Sequence, residues 1–436
     1  MTKKIAPFQE KGRDFLASRK VAYLGDQMRL GKSCQAIQAA DKLKAKRILV
    51  ICPASVKITW AREFEKWSCT DRSVQIVSGT KAEIDPNADL VIINYDILWR
   101  PIIKEQLVKL SFAVGICDEA HYLAGKDSKR TKALLCSKNR TPILSKCIYK
   151  WFLSGTPILN RPREFYPILA SCAPHVIDPY KSYRAYTTRY CGGYWDGIQW
   201  VDNGATNKEE LNYKLHQGFM LRRLRKDVMD EIPQDIQMIS IEPNSKTKRL
   251  IGQQFSWAKE DADYQKLELD DEMATVRREL GMAKLGEAKS HIDYILGMED
   301  KLVVFGYHRE LIGELKKKLK KYNPVVLQGG MSAEKKQEAV DTFTNDKKCR
   351  VFIGQMVAAG VGLDLSAANN ILFVEPDWVP GTMEQPMDRC SGWNQEKQVF
   401  IQIMVYADSL EEHMMRTAIT KKNNIEETIE DLDIFK

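Results

Sequence analysis

The sequence predicts an α/β protein built from two doubly wound, parallel-sheet lobes with helical insertions. Short, near-continuously apolar runs alternate with longer helix-compatible stretches, the pattern of strands buried on both faces. The alternation stops in a charged, strand-poor middle and then resumes. At 436 residues the chain exceeds one ordinary core, and domains of about 100 to 200 residues imply two or three.

In the first half, RILVIC (47–52), LVIIN (90–94), FAVGICD (112–118) and KWFLS (150–154) are expected as buried parallel strands. Residues 31–44 and 55–67 (SVKITWAREFEKW) have the texture of crossover helices. A first lobe is therefore expected over 1–235, with a helical insertion at about 160–235. Residues 245–298 carry little strand signal, so 236–300 is expected as a helical bridge. KLVVFGY (301–307), PVVLQ (324–328), RVFIG (350–354), NILFVEP (370–376) and VFIQIMVY (399–406) then predict a second lobe over 301–436, closed by C-terminal helices. In ELKKKLKK (314–321) the lysines are a solvated face, since Leu315 and Leu319 form a buried helical stripe.

A hydrophobic fraction of 44% with 28% charged residues fits a globular chain. The formal charge of +8 suits a polyanionic partner, and equally a merely basic protein, so the partner must come from sites. Ten cysteines are scattered with no CxxC pair and no histidine cluster at metal-ligand spacing, so no structural zinc is expected. Several sit in apolar runs, as in a reducing compartment. The N-terminal residues lack an apolar signal core and no run is long enough to span a membrane, which predicts an intracellular protein.

The stretch GDQMRLGKS (25–33) follows an apolar VAYL and opens a helix pattern, the context of a phosphate-binding loop. Gly31, Lys32 and Ser33 suit ATP: backbone amides for phosphate oxygens, Lys32 for the β- and γ-phosphates, and the Ser33 hydroxyl for magnesium (Mg2+). Asp26 occupies the first glycine position of the strict pattern. FAVGICDEAHYL places Asp118 and Glu119 where a doubly wound sheet has its ligand crevice. Asp118 can hold the metal, and Glu119 can polarise the water attacking the γ-phosphate.

DEAH (118–121), with GKS, FLSGTPILN (152–160) and QPMDRC (385–390), resembles helicase superfamily two. PFQEKG (7–12), ICPASVKITWAREFEKW (51–67) and FMLRRLRKDVMDEIP (219–233) are similar to elements of its Swi/Snf-like branch of DNA translocases. The resemblance covers nearly the whole chain. It implies two RecA-like lobes with ATP in the cleft between them. It also implies Phe8 and Gln9 at the adenine, and Met28, Arg29, Gly31, Lys32 and Ser33 around the phosphates. His121, Ser154, Gly155, Thr156 and Gln385 would couple nucleotide state to DNA, and Gln385 would also border the nucleotide.

AAGVGLDLSAANNILFVEPDWVP (358–380) resembles the fifth helicase motif, with Gly360 and Gly362 close to DNA or nucleotide and Asp364 near the ribose. FGYH (305–308) lies close to the F.HH of fork-remodelling, strand-annealing members. Where the branch reads Q..DR.HR.GQ, QPMDRCSGWNQ keeps Gln385, Asp388, Arg389 and Gln395 but has Gly392 in place of the second arginine. Arg389 then remains as one catalytic cation from this half. Arg29 stands where the branch has glycine. Either it restores charge at the γ-phosphate or braces the lobes, or it turns to solvent or pairs with a local carboxylate.

DNA contacts are implied at Pro53, Ala54, Asn94, Tyr95, Gly329, Gly360 and Gly362. The basic runs Lys126, Lys129, Arg130, Lys132, Lys138, Arg140, Lys146, Lys150 and Arg222, Arg223, Arg225, Lys226 suit phosphate contacts. The aromatic stretch 180–200 either stacks on bases at a junction or packs as an insertion. With little room for targeting modules, the expected protein is a monomeric motor of a bacterium or phage, acting on double-stranded and branched DNA by branch migration or fork reversal. A nucleotide-gated DNA clamp and a protein-stripping remodeller stay open.

Overall fold

The computed structural model describes residues 4–135, 141–155, 161–228, 234–260, 271–359, 363–377, 383, 386–390, 395 and 397–416. The chain divides into two compact units, 1–231 and 232–436.

In the first unit the strands are β1 (Val21–Leu24), β2 (Ile48–Cys52), β3 (Val74–Ile76), β4 (Leu90–Asn94), β5 (Phe112–Asp118), β6 (Cys147–Leu153), the short β7 (Tyr194–Trp195) and β8 (Trp200–Val201), and β9 (Met220–Leu221). Seven of them form a parallel sheet in the order β3-β4-β2-β5-β6-β1-β9, and β7 pairs with β8 as an antiparallel hairpin. Every residue of β2 and β4 is buried, as apolar strands covered on both faces require. The expected crossover helices form as Lys32–Lys42 and Lys57–Trp67.

Two strands of this sheet had no clear sequence signal. β3 lies at the edge with Val74 and Ile76 exposed, and β9 is only two residues long. The helical insertion expected at 160–235 does hold helices Tyr166–Cys172, Tyr183–Cys191 and Lys208–His216. It also holds the β7–β8 hairpin, and its end returns to the main sheet as β9.

In the second unit, β10 (Gln234–Ile241), β11 (Leu302–Gly306), β12 (Val325–Leu327), β13 (Val351–Gln355), β14 (Asn370–Phe373) and β15 (Val399–Tyr406) form a parallel sheet in the order β10-β15-β14-β11-β13-β12. Alternate residues serve opposite faces. Val303, Phe305, Phe352, Ile371 and Ile401 join Val340 and Phe343 of helix Ala333–Asn345. Leu302, Val304, Val351, Ile353 and Leu372 instead meet Ile292 and Ile295 of helix Leu285–Met298 and Leu311, Ile312 and Leu315 of helix Arg309–Lys318. This sheet is doubly wound. Leu315 and Leu319 are fully buried, as their stripe predicts.

The segment 236–300 departs from the expected helical bridge. It begins inside β10, which pairs along its whole length with β15, and its helix Leu285–Met298 packs on the second sheet. β10 escapes notice because QDIQMISI is half polar, as suits an edge strand. Lys284, fully buried at the start of this helix, donates to Glu411 at 2.6 Å and to the Met404 carbonyl at 2.9 Å, tying it to the far end of β15. Most of the expected closing helices lie outside the described residues. Among the described residues no helix is long and apolar enough to cross a membrane.

Candidate nucleotide site

Sheet order assembles the first-unit site. Strand β6 lies between β5 and β1, and Leu153 is in register with both Asp118 and Leu24. Because all three strands are parallel, their C-terminal ends bring together the loop after β1, the Asp118–Glu119 pair and Ser154–Gly155. Ser154 is fully buried, and its amide donates to the Leu24 carbonyl at 3.2 Å.

The loop 25–31 ends at Gly31, which has φ 70° and caps the helix Lys32–Lys42. That left-handed backbone favours glycine, and a β-carbon there would also crowd the Gln9 amide. Lys32 Nζ donates to the carbonyls of Asp26 at 2.8 Å and Gln27 at 3.3 Å. Burial lowers its pKa, while Glu119, Asp26 and Asp118 oppose that shift. Gly155 closes the other side: a β-carbon there would approach Met28 Cγ to 2.6 Å and Lys32 Nζ to 3.4 Å. Ser33 sits in the first turn of the helix.

Asp118 is held from two directions. Trp60 Nε1 donates to Oδ2 at 2.8 Å, and the Tyr95 hydroxyl donates to its carbonyl at 2.8 Å. Burial first, and the charge of Glu119 second, push the Asp118 carboxyl up to about 6, against the Trp60 hydrogen bond and the Lys32 charge. The backbone turns left-handed at Glu119, φ 49°, a conformation costly for a residue with a side chain. Glu119 Oε2 lies 3.3 Å from His121 Nδ1, which is 3.1 Å from Ser154 Oγ. One imidazole nitrogen thus links the acidic pair to the β6 terminus. Among the described residues no group of three or more His, Cys, Asp and Glu is arranged to hold a metal.

Gln9 is buried, with its amide donating to the Leu30 carbonyl at 3.3 Å and its Oε1 accepting the Ala6 amide at 3.0 Å. Phe8 is buried beside it, with the Arg223 guanidinium 5.3 Å from its ring centroid.

Arg223, expected at DNA phosphates, has local partners that the sequence does not reveal. β9 runs beside β1 and brings it to the loop after β1, where the Gln27 amide donates to its carbonyl at 2.9 Å. Its guanidinium grips the fully buried Asp26, donating from Nε to Oδ1 at 3.0 Å and from Nη2 to Oδ2, and also reaches Gln35 Oε1 at 2.8 Å and the Phe8 carbonyl. Gln35 closes the ring by donating to Asp26 at 3.1 Å and the Leu30 carbonyl at 2.9 Å. Its neighbour Arg222 is exposed and donates to the Gly25 carbonyl at 3.1 Å.

Two further residues expected at DNA turn their side chains inward. Tyr95 is fully buried, stacked 5.3 Å from Tyr122, and Asn94 is buried with its amide on Asp96 at 3.2 Å. Apolar strand ends draw both inward, so Tyr95 braces the acidic pair and Asn94 the loop after β4. Of the neighbouring pair, Pro53 is buried and Ala54 exposed.

Arg29 has φ 71°, which explains why glycine suits this position. The left-handed conformation costs a residue with a β-carbon roughly 1 to 2 kcal/mol. Arg29→Gly is therefore expected to raise the stability of the first unit by about 1 kcal/mol, read by urea unfolding. If Arg29 serves turnover, the same variant lowers ATP hydrolysis, and combining it with Gly392→Arg gives a non-additive result; simple additivity rejects an exchange between the two positions.

In the second unit the sheet's C-terminal ends hold their own network. The Glu375 carboxylate accepts the amides of Tyr307 at 2.7 Å and His308 at 2.9 Å, and faces His308 Nδ1 at 2.7 Å. Gln355 joins the Tyr307 carbonyl at 3.2 Å to the Gly329 amide at 2.9 Å, while Arg277 lies 4.0 Å over the Tyr307 ring. Gly329 thus sits in a fixed turn. Asp364 is exposed, with Oδ1 accepting the Ser366 amide at 3.1 Å. Arg389 is buried, and its carbonyl accepts the Leu365 amide at 3.0 Å. Gln395 clamps these loops, donating to the carbonyls of Ala368 at 2.8 Å, Cys390 at 3.1 Å and Ser366 at 3.2 Å. Thr156, Gly360, Gly362, Gln385 and Gly392 lie outside the described residues, as do Lys138 and Arg140. Of the residues that complete both sites, Trp60, Gln35, Glu375, Gln355 and Arg277 had no assigned role; only Trp60 carried a signal, as the tryptophan of the 51–67 segment.

Two known protein families match the chain along most of its length. The SNF2-related domain matches residues 8–289, well over half of the chain, and the helicase conserved C-terminal domain matches 287–392. The chain belongs to the SNF2-related family. It carries the helicase-type ATPase core of that family. The SWI/SNF-related matrix-associated actin-dependent regulator of chromatin subfamily A-like protein 1 of Xenopus tropicalis is 29% identical, over 99% of this SNF2-related chain and 46% of its own length. The human DNA annealing helicase and endonuclease ZRANB3 is 27% identical, over 94% of this chain and 39% of its own. The chain thus spans less than half the length of these relatives. A solved structure titled as the Sulfolobus solfataricus SWI2/SNF2 ATPase core in complex with dsDNA aligns with 94% of this chain and 90% of that one, at 19% identity and a TM-score of 0.46.

Proposed function

We propose that this SNF2-related chain is an ATP-driven motor on duplex DNA that remodels forked or branched DNA, by branch migration or fork reversal. The observation that carries the motor is the convergence of Lys32, Asp118, Glu119 and the His121–Ser154 link at three neighbouring strand ends. Lys32 exchanges two loop carbonyls for the β- and γ-phosphates, a stronger partner for a buried ammonium. Glu119 orients the attacking water and takes its proton. His121 and Ser154 feel whether that carboxylate is engaged. Arg389 is the proposed cation of the second half.

Magnesium fits the donor set, because the buried Asp118 carboxyl is raised by its own burial and by Glu119, and a divalent cation relieves both. Ser33 and Asp118 would hold it. When bound, it neutralises charge developing on the phosphates.

Branched DNA is favoured by a relative named as a DNA annealing helicase that aligns along 94% of this chain, and by FGYH at 305–308. A second reading, a nucleotide-gated clamp, is favoured by Gly392 standing where the branch has an arginine, since an arginine finger is worth about 10³ to 10⁵ in rate. ATP hydrolysis measured without DNA, and with linear duplex, single strand or a fork, separates these. A fork motor is stimulated most by branched DNA and converts it, and Lys32→Ala abolishes both. Salt-dependent binding to every substrate with negligible turnover supports the clamp; equal stimulation by plain duplex without conversion supports a protein-stripping remodeller.

A further inference from the structure

The β7–β8 hairpin presents an apolar tip to solvent. Tyr194 is 57% exposed, Trp195 56% and Ile198 87%. The rest of this aromatic stretch packs: Tyr186 and Tyr190 are fully buried with ring centroids 5.1 Å apart. The hairpin is tied at both ends. At its root Trp200 Nε1 donates to Thr187 Oγ1 at 3.0 Å, and Gly193 leaves no room for a β-carbon, which would meet the Trp200 ring at 2.9 Å. At its tip the Asp196 carboxylate accepts the amides of Ile198 at 2.8 Å and Gln199 at 2.7 Å. A fixed turn with three large apolar side chains in water needs a partner.

The charges nearby say which. Acidic groups at the root are consumed locally, Asp202 by Arg163 and Tyr183, and Glu210 by Arg189. The cations lie on aromatic faces: Arg184 5.5 Å over Trp200, Lys126 4.7 Å over Tyr183, and Lys129 and Arg100 at 4.4 and 4.0 Å over Trp99. These ring contacts join segments 99–100, 126–129, 183–184 and 200 into one track ending at the hairpin, in which Asp127 neutralises Lys126 and leaves Arg100, Lys129 and Arg184 as its cations. Arg100, Lys129 and Arg184 are exposed, and among the described residues none forms an ion pair with a carboxylate.

We propose that the β7–β8 hairpin is a pin on which unpaired bases of a nucleic-acid strand stack, with Arg100, Lys129 and Arg184 holding the phosphates of that strand. Exposed aromatics beside unpaired cations are the chemistry of single-strand binding, where each stacked base contributes about 1 to 3 kcal/mol. An apolar protein surface would use the tip and have no need of the track. The inference rests on the proposed action at branched DNA and supplies it with a site for the displaced bases.

The test uses the full chain and branched oligonucleotides carrying 2-aminopurine at the junction. Trp195→Ala is expected to lower affinity for a junction with unpaired bases by about tenfold and to remove the fluorescence quench. Affinity for plain duplex and duplex-stimulated ATP turnover stay within about twofold, and Trp195→Phe restores most of the loss. Unchanged quench and junction affinity in Trp195→Ala overturn the pin and leave the tip to a protein partner. An equal loss on plain duplex overturns it as well. If the unaltered chain converts no branched DNA yet shows the Trp195-dependent quench, the pin stands and the branch-remodelling function falls. Undiminished conversion by Trp195→Ala together with unchanged quench and junction affinity sinks the pin alone.

Discussion

Glu119→Gln is expected to lower ATP turnover by about 10² to 10⁴-fold while leaving nucleotide affinity nearly unchanged, the range for removing a positioned general base. The split follows from how the acidic pair is held. Asp118 is fixed by Trp60 on its carboxylate and by Tyr95 on its carbonyl, so replacing its neighbour leaves its place undisturbed. Glutamine keeps the shape and the contact with His121 but cannot accept a proton from water. It also removes the like charge that helps raise the Asp118 carboxyl to about 6, which eases metal binding. Single-turnover hydrolysis beside equilibrium binding of a nucleotide analogue reads the two effects separately. A fall in affinity as large as the fall in rate would make Glu119 a structural residue.

How much of this was legible depended on where a residue's partner lies in the chain. Lys32, Ser33, Asp118 and Glu119 stand out because each follows an apolar strand, and strand ends are where a parallel sheet exposes its amides and side chains. Ser154 follows the same rule at β6. Residues that support them do not, since their contacts are long-range and their types are common. Arg223 reads as one of four clustered cations; only the pairing of β9 with β1 shows that it meets Asp26 across 197 positions. Tyr95 likewise reads as an aromatic after a strand, and nothing in LVIINY reveals that its hydroxyl meets the Asp118 carbonyl. Edge strands escape for a different reason. β3 and β10 are half exposed or half polar, so they lack the continuous apolar run by which β2 and β4 are recognised. Arg29 is the opposite case, a residue whose oddity is plain in the sequence and whose left-handed backbone supplies the reason.

Arg223→Ala is expected to destabilise the first unit by about 3 to 5 kcal/mol and to weaken nucleotide binding at the same time. Asp26 is fully buried, and its carboxylate has Arg223 as ion-pair partner and Gln35 as second donor. Removing the guanidinium strands that charge away from water, which costs more than the pair itself contributes. The loop then loses its register, because the same guanidinium holds Gln35 and the Phe8 carbonyl, and Gln35 in turn holds the Leu30 carbonyl beside Gly31. Arg223→Lys keeps the charge but not the two-pronged grip, and falls between. Pairing Arg223→Met with Asp26→Asn removes the stranded charge and recovers most of the stability without recovering nucleotide affinity, so unfolding and binding measured on the four proteins separate charge burial from loop positioning. A DNA-contacting Arg223 predicts the reverse pattern: native stability and nucleotide affinity in Arg223→Ala, with a weaker, less salt-dependent hold on duplex DNA.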